Sequence, residues 1–145
     1  MVLDIIKYGD INDSKLKQKS LPVKKDMPFL QELIDNMFET LEKADNGIGL
    51  AAPQVGENIN LFIVKLPDFE QVFINPKIIL KGFDVETKEG CLSLPGMDYI
   101  VKRKQRVKIE FLDRNFKRFK ADYSDIRAIV IQHEYDHLIG KLIKE

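Results

Sequence analysis

The only two histidines of the chain stand four residues apart in the run His133-Glu134-Tyr135-Asp136-His137. On an α-helix, residues at i and i+4 share one face, so both imidazoles can reach a single metal ion. Glu134 lies beside the first histidine, where its carboxylate can accept a proton from a water that the metal has acidified. The run therefore predicts a metal-dependent hydrolase. A solvated helix with incidental histidines is the alternative interpretation.

The single cysteine, Cys91, is the other residue type that transition metals prefer. A catalytic metal site commonly has three protein ligands and an open fourth position, and Cys91 would complete a set of three. Taken alone, a free cysteine is more often a small buried apolar residue. The two-histidine helix favours the ligand interpretation.

A third feature is the run Gly47-Ile48-Gly49-Leu50-Ala51-Ala52-Pro53-Gln54, which is rich in glycine and small residues. Such a run lets a polypeptide substrate approach the backbone closely. It has no Gly-Lys-Ser/Thr ending and follows a predicted helix, not a strand, so it is not a nucleotide-binding loop. Considered alone, it fits an ordinary glycine-rich turn equally well.

Together the three runs resemble the motifs of the peptide deformylase family. Residues 47–54 are similar to G-h-G-h-A-A-x-Q, where h is apolar, residues 89–93 match E-G-C-h-S, and residues 132–137 match Q-H-E-x-D-H. The three motifs occur in order with suitable spacing, which makes the resemblance highly specific. It implies that the chain removes the N-formyl group from the initiator methionine of nascent polypeptides and releases formate.

The resemblance also implies a role for each matching residue. Cys91, His133 and His137 would hold one divalent metal ion, with water as the fourth ligand. Glu134 would be the general base toward that water and then the general acid toward the leaving amine. Oxyanion contacts would come from the Gln54 side chain and the backbone N–H of Leu92. A peptide bound as an added strand would pair with the backbones of Ile48, Gly49 and Gly90.

Further expectations concern the metal and the partners. The resemblance implies Fe²⁺ as the physiological ion, with Zn²⁺, Ni²⁺ or Co²⁺ as replacements. It implies a partly buried pair of Asp136 with Arg103 that orients the metal-binding helix. Asp98 stands where many bacterial members carry an arginine that helps to hold the peptide. The chain ends eight residues after His137, so we do not expect the C-terminal helix with which many bacterial members dock on the ribosome.

Helical spacing predicts a pocket for the methionine side chain. Ile126, Ile129 and Val130 precede His133 by seven, four and three residues, so they share its helix face. With Ile48 they would form an apolar slot beside the metal. The same residues could also simply face the core.

Two helices and several strands must position these residues. We expect Asp26 to cap a first helix that ends at Asn46-Gly47 and has an apolar face of Leu30, Leu33, Ile34, Met37 and Leu41, with Pro28 in its first turn. Strands are expected at 60–65 and 71–75, with one or two more within 77–88. Further strands are expected at 98–103, 106–112 and 116–121.

Ser124 is expected to cap a second helix, which carries both histidines and meets Gly140 at its end. The order of helix, strands and helix predicts an α+β fold. We expect one catalytic domain over residues 1–145. In it, mixed or antiparallel sheets would surround the metal-binding helix, and the amphipathic helix would lie near the N-terminus.

Composition restricts the class of protein. The chain has 145 residues, 44% of them apolar and 32% charged, which is typical of a globular protein. The 23 basic residues equal the 23 acidic ones, so we expect no direct nucleic-acid binding, although a local basic patch is compatible with this balance. Asp4 interrupts the N-terminal apolar run, no run could span a membrane, and one cysteine fits a reducing compartment. These features predict a cytoplasmic protein, and the family resemblance implies that it acts on N-formylmethionyl peptides.

Two other functions are compatible with parts of the pattern. The H-E-x-x-H run alone suggests a zinc endopeptidase, against which the cysteine ligand and the Gly47–Gln54 run argue. A non-enzymatic structural metal site would need four protein ligands. Glu134 would then have to coordinate the metal directly.

Overall fold

A computed structural model of the chain describes residues 1–44 and 47–143. Seven regular elements follow one another: α1 Leu30–Lys43, β1 Gly49–Ala51, β2 Leu61–Leu66, β3 Phe69–Cys91, β4 Leu94–Leu112, β5 Arg118–Ser124 and α2 Asp125–Leu138. Short 3₁₀ helices lie at Asp13–Lys17 and Ala52–Val55. The predicted α+β class is confirmed, but the described strands form one antiparallel sheet and not several sheets around the second helix. No helix in the described ranges has both the length and the apolar composition needed to cross a membrane.

The first helix begins later than the sequence predicts. Asp26 and Pro28 lie before α1, and Phe29 occupies the N-cap position with a left-handed φ of 63°. An aromatic residue at positive φ is not a helix-start signal, so the periodicity alone could not locate this boundary. The predicted apolar face is correct: Leu30, Ile34, Met37 and Leu41 are buried, and Leu33 packs beside them. The helix ends at Lys43, and Asn46 of the predicted end lies outside the described residues.

The five strands form one sheet in sequence order, and every neighbouring pair is antiparallel. The separate strands predicted at 71–75 and 77–88 are one continuous strand, β3, and those at 98–103 and 106–112 are one strand, β4. Register shifts between Ile74 and Lys77 and between Lys81 and Asp84 let β3 continue through breaks in its alternation. Gly82, at φ 78°, lies in the second shift. The Gly47–Gln54 run, for which a glycine-rich turn was one interpretation, contains β1 and part of a 3₁₀ helix.

The sheet has a core on each face. Leu61, Ile63 and Ile74 contribute to the face covered by α1, whereas Phe62 and Phe73 lie on the face covered by α2. The alternation along β2 and β3 produces this division. The rings of Phe62 and Phe73 stack with centroids 4.8 Å apart. Packing on the second face holds α2 against the sheet, in which β3 ends at Cys91.

Candidate active site

A cavity of about 860 Å³ opens between β1, the paired ends of β3 and β4, and α2. Its lining includes eleven of the twelve residues that the sequence assigned to the site: Ile48, Gly49, Gln54, Gly90, Cys91, Leu92, Ile126, Ile129, Val130, His133 and Glu134. The twelfth, His137, is 2% exposed and lies one helical turn below His133. The structure therefore brings together residues from three separate runs of the sequence.

The cluster of Cys91, His133 and His137 fits a metal ion. Each residue offers one ligand atom, and the three atoms lie within 4.8 Å of one another. The Cys91 Sγ is 3.5 Å from the His137 Nε2. One thiolate and two imidazoles suit a transition metal, whereas Mg²⁺ and Ca²⁺ prefer oxygen ligands. Three protein ligands leave the fourth position of a tetrahedral site open for a reacting molecule.

Glu89 holds the ring of His133. The His133 Nδ1 lies 2.8 Å from the Glu89 Oε1, so we assign the proton to Nδ1, which leaves Nε2 available to a metal. Burial alone would lower the pKa of His133, but hydrogen bonds to Cys91 and Glu89 raise it to about 10. Burial holds the pKa of His137 well below its usual range. A metal ligand needs an unprotonated ring nitrogen, so metal affinity should weaken as pH falls.

Arg103 ties this carboxylate to the metal-binding helix. Its Nε and Nη2 donate to the two oxygens of Glu89 at 2.9 and 2.6 Å, and its Nη1 donates to the Asp136 Oδ2 at 2.6 Å. The predicted pairing of Asp136 with Arg103 is confirmed. Burial would raise the pKa of Glu89, but hydrogen bonds from Arg103 and His133 outweigh it and lower the pKa to about 2. The charges of Arg103, Glu89 and Asp136 therefore compensate one another, and removal of one of these groups would leave another buried charge without a partner.

Glu134 lies on α2 beside this cluster and is 3% exposed. Its Oε1 has no hydrogen-bond partner among the described residues, and its Oε2 is 3.9 Å from the His133 Nε2. Burial raises the pKa of Glu134 from 4.5 to about 7, and it outweighs the lowering effect of the charges of His133 and Arg103. A carboxyl that titrates near neutral pH can both accept and donate a proton.

Residue 49 must be glycine, because the Glu134 carboxyl occupies the space that a side chain there would need. A Cβ at residue 49 would lie 2.5 Å from the Glu134 Oε2 and 2.9 Å from its Cδ. On the proton-transfer role that the sequence predicts for Glu134, we expect Gly49→Ala to displace the carboxyl and lower kcat by about tenfold or more, since small displacements of a reacting group are costly. Metal content should remain at one equivalent. The test is the predicted formate release together with metal analysis. Unchanged kcat in Gly49→Ala would contradict this account.

The Gln54 side chain reaches into the same cavity. Its Oε1 accepts a hydrogen bond from the Ala51 N–H at 2.9 Å, which orients its Nε2 toward the Ser93 Oγ at 3.2 Å and the Cys91 Sγ at 3.6 Å. The N-terminal segment braces both sides of this contact. The Ile6 N–H donates to the Gln54 carbonyl at 2.7 Å, and the Tyr8 N–H donates to the Ser93 carbonyl at 2.8 Å.

The edge strand β1 borders the cavity. Among the described strands it pairs only with β2, so its other edge faces the space between Gly49 and Gly90. Helix α2 borders the same space, and on it Val130 is buried whereas Ile126 is 53% exposed. An extended peptide could add to such an edge with an apolar side chain pointing at α2.

Comparisons with known proteins agree with this geometry. The family model described as polypeptide deformylase matches residues 2–145. A peptide deformylase of Karelsulcia muelleri is 44% identical over 98% of this chain and 76% of its own length. The chain belongs to the polypeptide deformylase family. The enzyme removes the N-formyl group from nascent polypeptides.

Solved deformylase structures share its fold. That from Thermotoga maritima is 32% identical, with a TM-score of 0.92 over 99% of this chain and 96% of that one. The Synechococcus elongatus enzyme, solved in complex with actinonin, is 38% identical, with a TM-score of 0.90 over 97% of this chain and 76% of that one.

The sequence analysis gave no role to two residues of the deformylase cavity. Glu89 contacts His133, and Ser93 contacts Gln54. A signal was available for both, because Glu89 and Ser93 are fixed positions of the E-G-C-h-S motif. Their partners could not be inferred from it, since both contacts join segments that are distant in the sequence.

Proposed function

We propose that this deformylase works with one divalent metal ion held by Cys91, His133 and His137, and with Glu134 as its proton-transfer group. The observation that carries the proposal is the cluster of three ligand atoms within 4.8 Å, with a buried carboxyl beside it that lacks a partner for one oxygen. Glu134 is not among the clustered ligand atoms, although its Oε2 lies 3.9 Å from the His133 Nε2, close enough to reach a water bound at the open position. This arrangement favours a catalytic site over a closed structural one.

Each residue has a defined role in the proposed reaction. When bound, the metal supplies a Lewis acid that activates water for attack on the formyl carbon. Glu134 accepts the proton that the attacking water loses and then donates it to the methionine nitrogen as the C–N bond breaks. The Gln54 Nε2 and the Leu92 N–H donate hydrogen bonds to the formyl oxygen as its negative charge develops. Formate and a free amino terminus are the products.

The substrate-binding part of the proposal concerns the peptide. The backbones of Ile48, Gly49 and Gly90 pair with an extended substrate, which recognises main chain and tolerates varied side chains. The methionine side chain occupies the slot formed with Ile126, Ile129 and Val130, which line the cavity on α2. N-formylmethionyl peptides are the proposed substrates, and we place the enzyme in the cytoplasm, where such nascent chains occur. Cleavage of formyl-Met-Ala-Ser but not of the same unblocked peptide would exclude an endopeptidase.

We expect Fe²⁺ to be the physiological metal and to give a more active enzyme than Zn²⁺. Iron exposed to solvent and held by a thiolate reacts with oxygen, and Cys91 can then be oxidised. The Fe²⁺ form should therefore lose activity in air, catalase or a reductant should slow that loss, and a Ni²⁺ form should resist it. The measurement is formate release over time for Fe²⁺, Ni²⁺ and Zn²⁺ forms prepared from one metal-free preparation. Equal activity and equal air stability in all three would reject the assignment of iron.

A further inference from the structure

One face of the sheet carries a concentration of positive charge away from the active site. Along β4, Val107 and Ile109 are buried on the α2 side. Because side chains alternate, the residues between them point to the opposite face. Lys108 and Arg106 are exposed there. We call this the outer face, and it continues the surface that α1 covers at the other end of the sheet.

The strand register extends the outer face across three strands. Lys81 pairs with Arg106, and Lys77 pairs with Glu110, which pairs in turn with Lys120. Within residues 77–86 of β3 and their partners on β4 and β5, the basic residues that share this face are Lys77, Lys81, Lys102, Lys104, Arg106, Lys108, Arg118 and Lys120. Its acidic residues are Asp84, Glu86, Glu110 and Asp122. The face therefore has an excess of basic groups, although the whole chain has none.

Few of these basic groups are neutralised locally. Lys104 forms an ion pair with Asp84 at 2.8 Å, and Arg118 approaches Glu110 at 4.0 Å. Among the described residues, the other six basic side chains of the face have no acidic oxygen within 4.0 Å. An uncompensated group of cations on one surface attracts a polyanion, even when the overall net charge is zero.

We propose that the outer face binds the phosphate backbone of double-stranded RNA. Alternate residues along a strand are about 6.8 Å apart and neighbouring strands about 4.8 Å apart, so the cations form a two-dimensional array that can contact several phosphates. Phe83, which is 65% exposed between Lys81 and Asp84, is a single ring and not a row of aromatic side chains on which successive unpaired bases could stack. The binding is therefore to the backbone and independent of base sequence. The choice of RNA as the polyanion rests on the deformylase function, because a nascent polypeptide is still attached to an RNA-rich particle.

The test is binding of a fluorescein-labelled RNA duplex of 20 base pairs at several salt concentrations, measured by anisotropy with the metal-loaded enzyme. The triple variant Lys81→Gln, Arg106→Gln, Lys108→Gln should bind about tenfold or more weakly, and the slope of log K against log salt should fall by about 1 per removed contact. The matched control is Lys19→Gln, Lys24→Gln, Lys25→Gln, which removes three exposed lysines elsewhere. It should bind within about twofold of the wild type.

Formate release separates this proposal from the catalytic one. Both triple variants should release formate at the wild-type rate, since none of the six residues lines the cavity. The RNA proposal would be overturned by three results: no salt-sensitive binding by the wild type, equal weakening in both triple variants, or a preference for phosphatidylserine vesicles over the duplex. A wild type that binds RNA but releases no formate would reject the catalytic proposal and leave RNA binding standing.

Discussion

Glu134→Ala is expected to lose formate release by more than the roughly 10²–10⁴-fold that general acid–base catalysis contributes, because one carboxyl serves in two successive proton transfers. Metal content should stay at one equivalent, since Glu134 is not among the three clustered ligands. The measurements are kcat, KM and metal content. Because the carboxyl acts in the chemical step, kcat should fall while KM changes little. Near-normal turnover in Glu134→Ala would remove the residue from the mechanism.

The same carboxyl should reduce stability when no metal is bound. Burial raises the pKa of Glu134 from 4.5 to about 7, so the folded protein binds its proton more tightly than the unfolded chain does. Stability should therefore fall as pH rises from about 4.5 to 7, by a total on the order of 3 kcal/mol. Glu134→Gln lacks this titration. In urea unfolding of the two metal-free proteins, the variant should gain stability relative to the wild type between pH 5 and pH 8. A constant difference across that range would contradict the burial argument.

Helix α2 was predictable from the sequence because the two residues that could bind a metal are also four apart, which is the spacing of one helical turn. The spacing of His133 and His137 requires one helical face, and α2 supplies it. The apolar stripe of α1 was predictable for the same reason. The start of α1 was not, because Phe29 adopts a left-handed conformation that local propensity does not favour.

The long strands show where local pattern fails. Both predicted segments of β3 are correct as strand, but their alternation is interrupted by irregularities that look like strand ends in a sequence. Only pairing with β4 reveals that the strand continues. The six-residue strand expected at 98–103 likewise merges with its neighbour, because β3 pairs with residues 98–104 and again from Arg106.

Within the site, spacing predicts contacts along one element but not between elements. Glu89 and His133 are 44 residues apart, and nothing in their separation indicates the 2.8 Å contact. The pair of Arg103 and Asp136 could be expected only from the family resemblance. Folding of β4 against α2 places Arg103 between the two carboxylates, and this arrangement depends on the tertiary structure.

The second large effect concerns the metal ligands. Alanine at Cys91, His133 or His137 removes one of three protein ligands, and tight metal binding should be abolished in each variant. His137→Ala also opens a space in the core, since the residue is 2% exposed, so loss of metal there could follow from unfolding. Cys91→Ser is the sharper variant, because it keeps the size of the side chain and changes only the ligand atom.

Substitution with Co²⁺ separates loss of a ligand from loss of the fold. In the wild type, Co²⁺ held by a thiolate should give a sulfur-to-metal charge-transfer absorption, because a coordinating thiol is deprotonated. Cys91→Ser should lose that absorption and bind Co²⁺ more weakly, while its far-ultraviolet circular dichroism stays that of the wild type. Ser93→Ala is the matched control two residues away: it removes the hydroxyl that contacts Gln54 but no ligand, and it should keep both the absorption and one equivalent of metal. A Cys91→Ser protein with wild-type affinity and an unchanged spectrum would show that the thiol does not bind the metal, because no other cysteine in the chain could supply the sulfur.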